Sequence, residues 1–355
     1  MKLAARLLDW FDRNARRLPW RETLDPWAIL VSELMLQQTR VEVVVGYFPR
    51  FLERFPSAEA LATAAEAELL SLWSGLGYYR RARALRAAAV EIVRRGAMPR
   101  TAAELEELPG VGPYTAAAVA SIAFGEPIGA IDGNVVRVMA RRLALAGRSE
   151  LRPARERIRA AAFELLDPSR PGDSNQALME LGATLCTPRR PRCADCPLAE
   201  GCLAREAGEP ERYPEARRRA KPVPIAIAAA AVELDGRLLL VKRGAGEELL
   251  AGLWELPSVE GERPEAARFA ARYGGEWRFG AERARARHTI TFRALAITAW
   301  SAAWSPAELG EPGAAGFFSP DEAHLLALTG AMRKLIGLLG APRSPSSEFS
   351  GSPAS

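Results

Sequence analysis

The chain has 355 residues, of which 48% are hydrophobic and 26% charged, with a formal net charge of +5. This length favours two domains, and the apolar content is sufficient for ordinary packed cores. No apolar run reaches the ~20 residues of a membrane span, and Asp9 and Asp12 follow the first residues too closely for a secretory signal, so we expect a cytoplasmic protein with no membrane partner.

Residues 1 to about 205 predict an almost wholly helical region, in which Ala, Leu, Glu and Arg dominate. The pattern TAAE, which is typical of a capping box, begins at Thr63 and again at Thr101. Residues 80–95 carry apolar positions at helical spacing. Residues 208–224 contain four prolines around three consecutive arginines and predict a linker near DNA or an acidic partner.

The remainder predicts a smaller α+β domain at residues 225–340. Its predicted elements are a strand at 225–232, a tight turn at Asp235-Gly236, a strand at 237–242, a strand at 289–300 and a helix at about 320–339. The Pro/Ser-rich residues 341–355 predict a disordered tail.

The segment LPGVGPYT at residues 108–115 predicts two helices joined by a glycine hairpin. Gly110 and Gly112 permit positive φ and a close backbone approach, and Pro113 suits the first turn of a helix that runs to Phe124. The N–H groups at the start of that helix form an anion site, which indicates binding to a phosphate backbone.

Two carboxylates are candidates for chemistry near this hairpin. Asp132 lies in the segment IDGN, where it also suits the N-cap of the next helix, with Asn134 beside it. Glu33 lies in the largely apolar segment SELMLQQT, where burial would raise its pKa as a general acid requires, and Gln37 is four residues further along the same predicted helix face. A surface ion pair of Glu33 with Arg40 or Arg21 is the alternative. Two carboxylates in separate elements suit cleavage of a glycosidic bond.

The four cysteines of the chain are Cys186, Cys193, Cys196 and Cys202, spaced C-x6-C-x2-C-x5-C. Such clustered thiols indicate a metal site, and the spacing alone leaves zinc and an iron–sulfur cluster open. Arg189 and Arg190 lie between the first two cysteines and would present a rigid basic loop to phosphates.

Together these motifs, with LPWR at 18–21 and GLGYY at 75–79, resemble the helix-hairpin-helix DNA glycosylases, and among them the MutY family of adenine DNA glycosylases. The resemblance implies an all-α glycosylase domain at 1–207 with a 4Fe-4S loop at 186–202, a linker at 208–224 and a Nudix-like α+β domain at 225–340. It implies a nucleoid-associated, monomeric enzyme of base excision repair that flips adenine out of duplex DNA opposite 8-oxoguanine or guanine.

The resemblance also implies a role for each motif residue. Glu33 protonates adenine at N7, Asp132 stabilises or attacks the oxocarbenium-like sugar, and Tyr114 and Asn134 position them. Trp20 and Arg21 form the adenine pocket, and the four cysteines hold the cluster. The residues that enter the base stack are Gln37, Gln38 and Tyr78. Those that contact DNA are Gly110, Gly112, Arg189 and Arg190.

Three departures from related proteins sharpen the prediction. Tyr114 stands where endonuclease III has a Schiff-base lysine, so base removal without strand cleavage is expected. Residues 267–273 lack the glutamates of a Nudix hydrolase, so no pyrophosphohydrolase activity is expected. Thr291 and Phe292 replace the serine and histidine of the family's Phe-Ser-His loop, which predicts a weaker preference for 8-oxoguanine, whereas His288 is expected to be structural.

Two alternatives remain open at this point. One is a bifunctional glycosylase/lyase like endonuclease III, which Tyr114 and the additional domain disfavour. The other is a non-catalytic iron–sulfur DNA-binding protein, which would not require Glu33 and Asp132 together.

Overall fold

The computed structural model describes residues 3–147, 151–215, 221–244, 247, 250–290, 292–305 and 315–340. Two compact units are present: a helical unit, Met1–Leu69 with Tyr78–Arg219, and a sheet unit, Leu70–Gly77 with Ala220–Ser355. Within the described ranges no helix is both long and apolar enough to cross a bilayer. The predicted tail at 341–355 and the arginine run at 217–219 lie outside the described residues.

The prediction of a helical first part is confirmed. In chain order its helices are α1 (Leu3–Asn14), α2 (Pro26–Leu36), α3 (Val41–Arg54), α4 (Ala58–Ala62), α5 (Glu66–Trp73), α6 (Arg80–Arg95), α7 (Ala102–Glu106), α8 (Pro113–Phe124), α9 (Gly133–Arg142), α10 (Arg152–Phe163), α11 (Pro171–Thr184) and α12 (Leu203–Glu206). Short 3-10 turns occur at Pro19–Arg21, Cys193–Asp195 and Pro210–Arg212.

Helix α2 carries a carboxylate into the centre of this unit. Asp25 caps it by accepting a hydrogen bond from the N–H of Trp27, and Pro26 occupies the first turn, where its missing N–H is not needed. The helix is apolar on every side and is therefore buried on every side, so Glu33 follows it into the core. Helix α2 packs against α8, and α11 packs against both α8 and α9.

Two local predictions in the helical unit need correction. The capping box at Thr101 is present, whereas Thr63 is the C-cap of α4, and its hydroxyl donates to the carbonyl of Glu59. Helix α2 ends at Leu36, so Gln37 does not continue the helix face of Glu33 and instead turns out of it with ψ of 113°. The pattern could not show where the helix stops, because the tertiary contact described below ends it.

The sheet unit has the predicted α+β architecture. Its elements are β1 (Val223–Leu234), β2 (Arg237–Lys242), β3 (Trp254–Glu255), β4 (Ser258–Glu260), α13 (Ala266–Tyr273), β5 (Glu276–Ile290), β6 (Arg293–Ser305), β7 (Ala315–Phe318), α14 (Pro320–Leu325) and α15 (Gly330–Gly340). The strands run in the order β3-β2-β1-β6-β5, with β1 and β6 parallel, while β4 pairs with β1 and β7 with β2.

Alternate residues of β1 serve two cores. Ala229 and Ala231 pack with Met332 and Leu335 of α15 on one face, whereas Ala228 and Ala230 pack with Phe269 of α13 on the other. This division follows from the two-residue period of a strand.

Two predictions for the sheet unit are wrong, because each expected single element is two elements in the structure. The expected strand at 289–300 is a hairpin, in which Ile290 ends β5 and pairs with Arg293 at the start of β6. The expected helix at 320–339 is two helices, α14 and α15. The backbone between them pairs with Trp254, whose N–H donates to the carbonyl of Ala327 at 2.9 Å, and this tertiary contact interrupts the helix.

Candidate active site

A cleft of about 610 Å³ opens in the helical unit and contains most of the predicted active-site residues. The predicted residues that line it are Trp20, Arg21, Glu33, Gln37, Gln38, Tyr114, Asp132 and Asn134. They come from α2 and the residues that follow it, from α8, from the start of α9 and from the Pro19–Arg21 turn. These elements are far apart in the chain, and the packing of α2 on α8 and of α11 on both α8 and α9 brings them together.

Glu33 is a buried carboxyl group at the bottom of this arrangement, with 6% of its surface exposed. Burial raises its pKa from 4.5 to about 7; a hydrogen bond from Tyr114 opposes the shift, the charge of Asp132 adds to it, and Arg21 opposes it. Its Oε2 atom has no hydrogen-bond partner. The predicted alternative, a surface ion pair, is therefore wrong, because the side chain is buried with one oxygen directed at no protein group.

Asp132 differs from Glu33 in its hydrogen bonds. Its Oδ1 accepts the N–H of Val135 at 2.7 Å, which caps α9, and its Oδ2 accepts the side-chain amide of Asn134 at 2.7 Å. Burial raises its pKa, while these donors oppose the rise because they favour the charged form. The cap and the proposed catalytic role thus use the same carboxylate, which the helix start holds still.

Tyr114 lines the same cleft as the two carboxyl groups and interacts with both. It is the second residue of α8, and its hydroxyl group is hydrogen-bonded to Glu33 and lies 3.5 Å from the sulfur of Met179. Burial raises its pKa well above the usual value, and the charges of Glu33 and Asp132 add to that effect, so it stays a neutral phenol. A neutral hydroxyl group can orient Glu33 without carrying charge into the cleft.

Glu180 is a buried residue of the cleft that the sequence did not single out. Its side chain is fully buried on α11 and accepts hydrogen bonds from Arg16 at 2.7 Å and from Arg21 at 2.9 Å. These bonds fix Arg21 at the wall of the cleft beside Trp20, which is itself 8% exposed. The available signal was an acid between the apolar residues of α11, because a buried carboxylate requires a cationic partner.

Arg81 is a second residue that the sequence reasoning missed. Its buried guanidinium donates to the carbonyls of Leu34, Met35 and Gln37, where α2 ends, and to the hydroxyl of Thr39. Desolvation lowers its pKa to about 10. One cation therefore satisfies the carbonyls that the end of α2 leaves unpaired, and it ties that end to α6.

The predicted stack-entering residues adjoin Arg81. Gln38 and Tyr78 have φ of 58° and 49°, a left-handed conformation that non-glycine residues rarely adopt. Tyr78 is 45% exposed and lies outside the cleft, with the Arg81 guanidinium 5.5 Å from its ring centre, whereas Gln37 donates to the hydroxyl of Thr115 at 3.3 Å. Strained backbone conformations of this kind are typical of functional positions.

The glycine hairpin before α8 needs its first glycine for two reasons. Gly110 has φ of 77°, and a Cβ there would lie 2.4 Å from the Cβ of Ala84 on α6. Gly112 has φ of −99° and is the extended N-cap of α8, so the predicted positive φ is wrong at that position. The loop nevertheless leaves the first N–H groups of α8 unblocked, as an anion site requires.

The four cysteines line one small cavity whose other walls include Val138, Leu185 and Leu198. Arg141, which is 2% exposed, donates to the sulfur of Cys186 at 3.3 Å. Four thiols that line one cavity are a donor set that fits a 4Fe-4S cluster and would also fit zinc.

Arg189 and Arg190 are exposed on the loop between Cys186 and Cys193. Arg190 has φ of 50°, and its backbone N–H donates to Glu211 at 2.8 Å. Neither arginine lines the catalytic cleft, and both are exposed to solvent.

The predicted opposite-base residues are in the sheet unit. Phe292 is 52% exposed at the turn between β5 and β6, and the Arg293 guanidinium lies 5.3 Å from its ring centre. Thr291 lies outside the described residues. The ring of His288 packs against Gly330 at the start of α15, and burial lowers its pKa, as a structural histidine would show.

Comparison with known proteins assigns each region to a family. Residues 31–166 match the HhH-GPD superfamily of base excision DNA repair proteins. Residues 186–202 match the iron-sulfur binding domain of endonuclease III, and residues 227–338 match the NUDIX domain. The four cysteines are thus the ligands of an iron–sulfur motif of this class.

Individual relatives support the same family assignment. The chain is 43% identical over 244 residues to the adenine DNA glycosylase of Mycobacterium tuberculosis, covering 67% of this chain and 78% of that protein. It is 39% identical over 315 residues to the adenine DNA glycosylase of Homo sapiens, covering 73% of this chain and 58% of that protein. The chain thus spans less than two thirds of the length of the human relative.

A solved structure of a thermostable thymine-DNA glycosylase has a TM-score of 0.53 to this structure at 30% sequence identity. The match covers 57% of this chain and 95% of that chain. This likeness extends the sequence matches to the three-dimensional arrangement of the glycosylase fold.

Proposed function

Because the chain belongs to the adenine DNA glycosylases, we propose that it removes adenine from duplex DNA by hydrolysing the N-glycosidic bond. The observation that carries this proposal is the pairing in one cleft of a buried, incompletely hydrogen-bonded Glu33 with a hydrogen-bonded Asp132. Carboxyl groups in such contrasting surroundings suit an acid and a charge stabiliser on either side of one bond.

The reaction begins when the target nucleotide leaves the base stack. Tyr78 and Gln38, held in strained conformations around Arg81, fill the space in the duplex and offset part of the unstacking energy, which is a few kcal/mol. The base enters the cleft beside Trp20 and Arg21, which Glu180 holds in place.

Glu33 then gives its proton to N7 of adenine, which makes the base a better leaving group. Asp132 remains a carboxylate and stabilises the positive charge that develops on the sugar. Water completes the hydrolysis at C1′ and leaves an abasic site. Asn134 and Tyr114 keep the two carboxyl groups oriented through the hydrogen bonds described above.

The cysteine loop contributes position rather than chemistry. A 4Fe-4S cluster would be held by Cys186, Cys193, Cys196 and Cys202, and it would supply a rigid core to the loop. The loop presents Arg189 and Arg190 to the DNA backbone. A single chain supplies both carboxyl groups and the hairpin, so we propose that the enzyme acts as a monomer.

A panel of duplexes tests this function directly. Adenine placed opposite 8-oxoguanine, guanine, cytosine and thymine is incubated with the holoenzyme, and each product is analysed with and without hot alkali. We expect strand breaks only after alkali, and only with adenine opposite 8-oxoguanine or guanine. Release of a pyrimidine instead of adenine would overturn the proposal.

The presence of Tyr114 leads us to expect base removal without cleavage of the DNA strand. A phenol cannot form an imine with the sugar, so borohydride should trap no stoichiometric enzyme–DNA adduct on an adenine substrate. The Tyr114→Lys variant is the matched control, because it places an amine at the same point of α8. A stoichiometric adduct with the wild-type protein would instead support the bifunctional glycosylase/lyase.

The side chain of Phe292 leads us to expect a reduced preference for 8-oxoguanine over guanine as the base opposite adenine. Where relatives present a histidine, this chain presents an exposed ring that stacks but cannot hydrogen-bond. One hydrogen bond contributes about 1 kcal/mol, so Phe292→His should raise the ratio of single-turnover excision rates for 8-oxoguanine over guanine about fivefold. An unchanged ratio in this variant would contradict the proposed role of Phe292. Leu338→His, which changes an exposed apolar side chain on α15 of the sheet unit, is the control.

A further inference from the structure

A second groove, of about 710 Å³, lies beside the catalytic cleft in the helical unit. Tyr114 and Ile131 line both spaces, so the groove continues directly from the cleft. Pro113, the first residue of α8, lines the groove on one side, and helix α10 lines it on the other. The groove therefore extends from the catalytic residues past the positive end of α8.

Helix α10 contributes an unpaired positive charge to this groove. Arg155 and Arg159 line it, are exposed, lie one turn apart, and form no ion pair within the described residues. By contrast Arg152, on the same helix, is paired with Glu156 at 2.9 Å. Glu106 is the one carboxylate among the described residues that line the groove, so its net charge is positive.

The apolar part of the groove gives α10 a fixed position. Ile158 lies between the two arginines in the chain, is 1% exposed, and packs into the same core as Val138 and Met139 of α9. The two guanidinium groups thus project from a helix that is anchored to the element carrying Asp132. Paired arginines on a rigid element match the spacing and geometry of successive phosphates better than single mobile lysines would.

We propose that this groove is a further section of the DNA interface, in which Arg155 and Arg159 neutralise phosphates of the strand that leaves the catalytic cleft. The proposal rests on the proposed function, because it assumes that a DNA strand occupies that cleft. Continuity with the cleft and positive charge identify the occupant as a nucleic-acid backbone. The contact carries no sequence information and adds affinity for any duplex.

The salt dependence of binding tests this contact. Affinity of the holoenzyme for an undamaged duplex is measured by fluorescence anisotropy over a series of salt concentrations. Each lost phosphate contact reduces the slope of log K against log[salt] by about 0.9, so Arg155→Ala/Arg159→Ala should reduce it by about 1.8. Arg157→Ala is the control: this exposed arginine lies about 200° around the helix from both and should leave the slope unchanged.

Two further measurements keep the outcomes distinct. Arg155→Lys/Arg159→Lys retains the charges and should restore most of the slope, which a purely structural role would not predict. An unchanged slope in the alanine variant, or an equal loss with Arg157→Ala, would overturn the proposal. If the wild type does not excise adenine but the alanine variant still has a reduced slope, the proposed function is contradicted and the proposed DNA contact is supported.

Discussion

Replacing Glu33 by glutamine should lower the single-turnover rate of adenine excision by about 10²–10⁴-fold, the usual contribution of a general acid. Glutamine keeps the shape of the side chain and has no proton to give. Since the pKa of Glu33 is about 7, the wild-type rate should also fall as the pH rises through 7, approaching tenfold per unit above it. Quenched-flow excision from a duplex at saturating enzyme, between pH 5 and 9, measures both effects.

The folding stability of the same variant separates lost chemistry from lost structure. The native pKa of about 7 exceeds the ordinary value of 4.5, so the native state binds more protons than the unfolded state between these values. Stability of the wild type therefore falls as pH rises across this window and stays reduced above it, by about 3 kcal/mol. Glu33→Gln lacks this penalty, so it should be more stable than the wild type at pH 8 and similar at pH 4.

These two readouts define what would contradict the acid role. A variant that loses excision and is also less stable than the wild type at pH 8 would indicate a structural role for Glu33. A wild-type rate that increases through pH 7 would indicate that the group works as a base. Binding of the undamaged duplex should stay within a few-fold of wild type, because Glu33 is buried and contacts no backbone phosphate in the proposed complex.

Replacing Asp132 by asparagine should lower the excision rate by about 10²–10³-fold, the usual effect of removing one group that stabilises charge in a transition state. Asparagine retains the capping oxygen for the N–H of Val135, but it loses the negative charge and the acceptor for the side-chain amide of Asn134. Stability should therefore fall by about 1 kcal/mol, the net contribution of one hydrogen bond, since Asn and Asp are similar N-caps. Single-turnover kinetics and urea denaturation measure the two quantities.

Asp132→Ala is the matched comparison. It loses the charge and the cap together, so its rate should equal that of Asp132→Asn while its stability falls by about 1 kcal/mol more. Equal stability of the two variants would contradict the cap, and a rate for Asp132→Asn within tenfold of wild type would contradict the charge role. The pair therefore resolves two functions of one carboxylate that the sequence alone could not separate.

The sequence predicted the helical unit well because its signals are local. The capping box at Thr101, the proline and glycine around α8, and the N-cap at Asp132 each act within a few residues of where they are read. The predictions that failed involve long-range partners: the backbone of Trp254 interrupts the helix expected at 320–339, and the pairing of β5 with β6 divides the expected strand.

For the site, the sequence by itself identified the carboxylates, the hairpin, the four cysteines and Tyr114, because each belongs to a short pattern with a distinct chemical purpose. Only the tertiary structure decided the chemistry of those groups. The pKa of Glu33 depends on burial by α2 and α8, and the place of Arg21 depends on Glu180, about 160 residues away. Desolvation and ion pairing depend on which surfaces meet, and that is a property of the packed molecule rather than of any local segment.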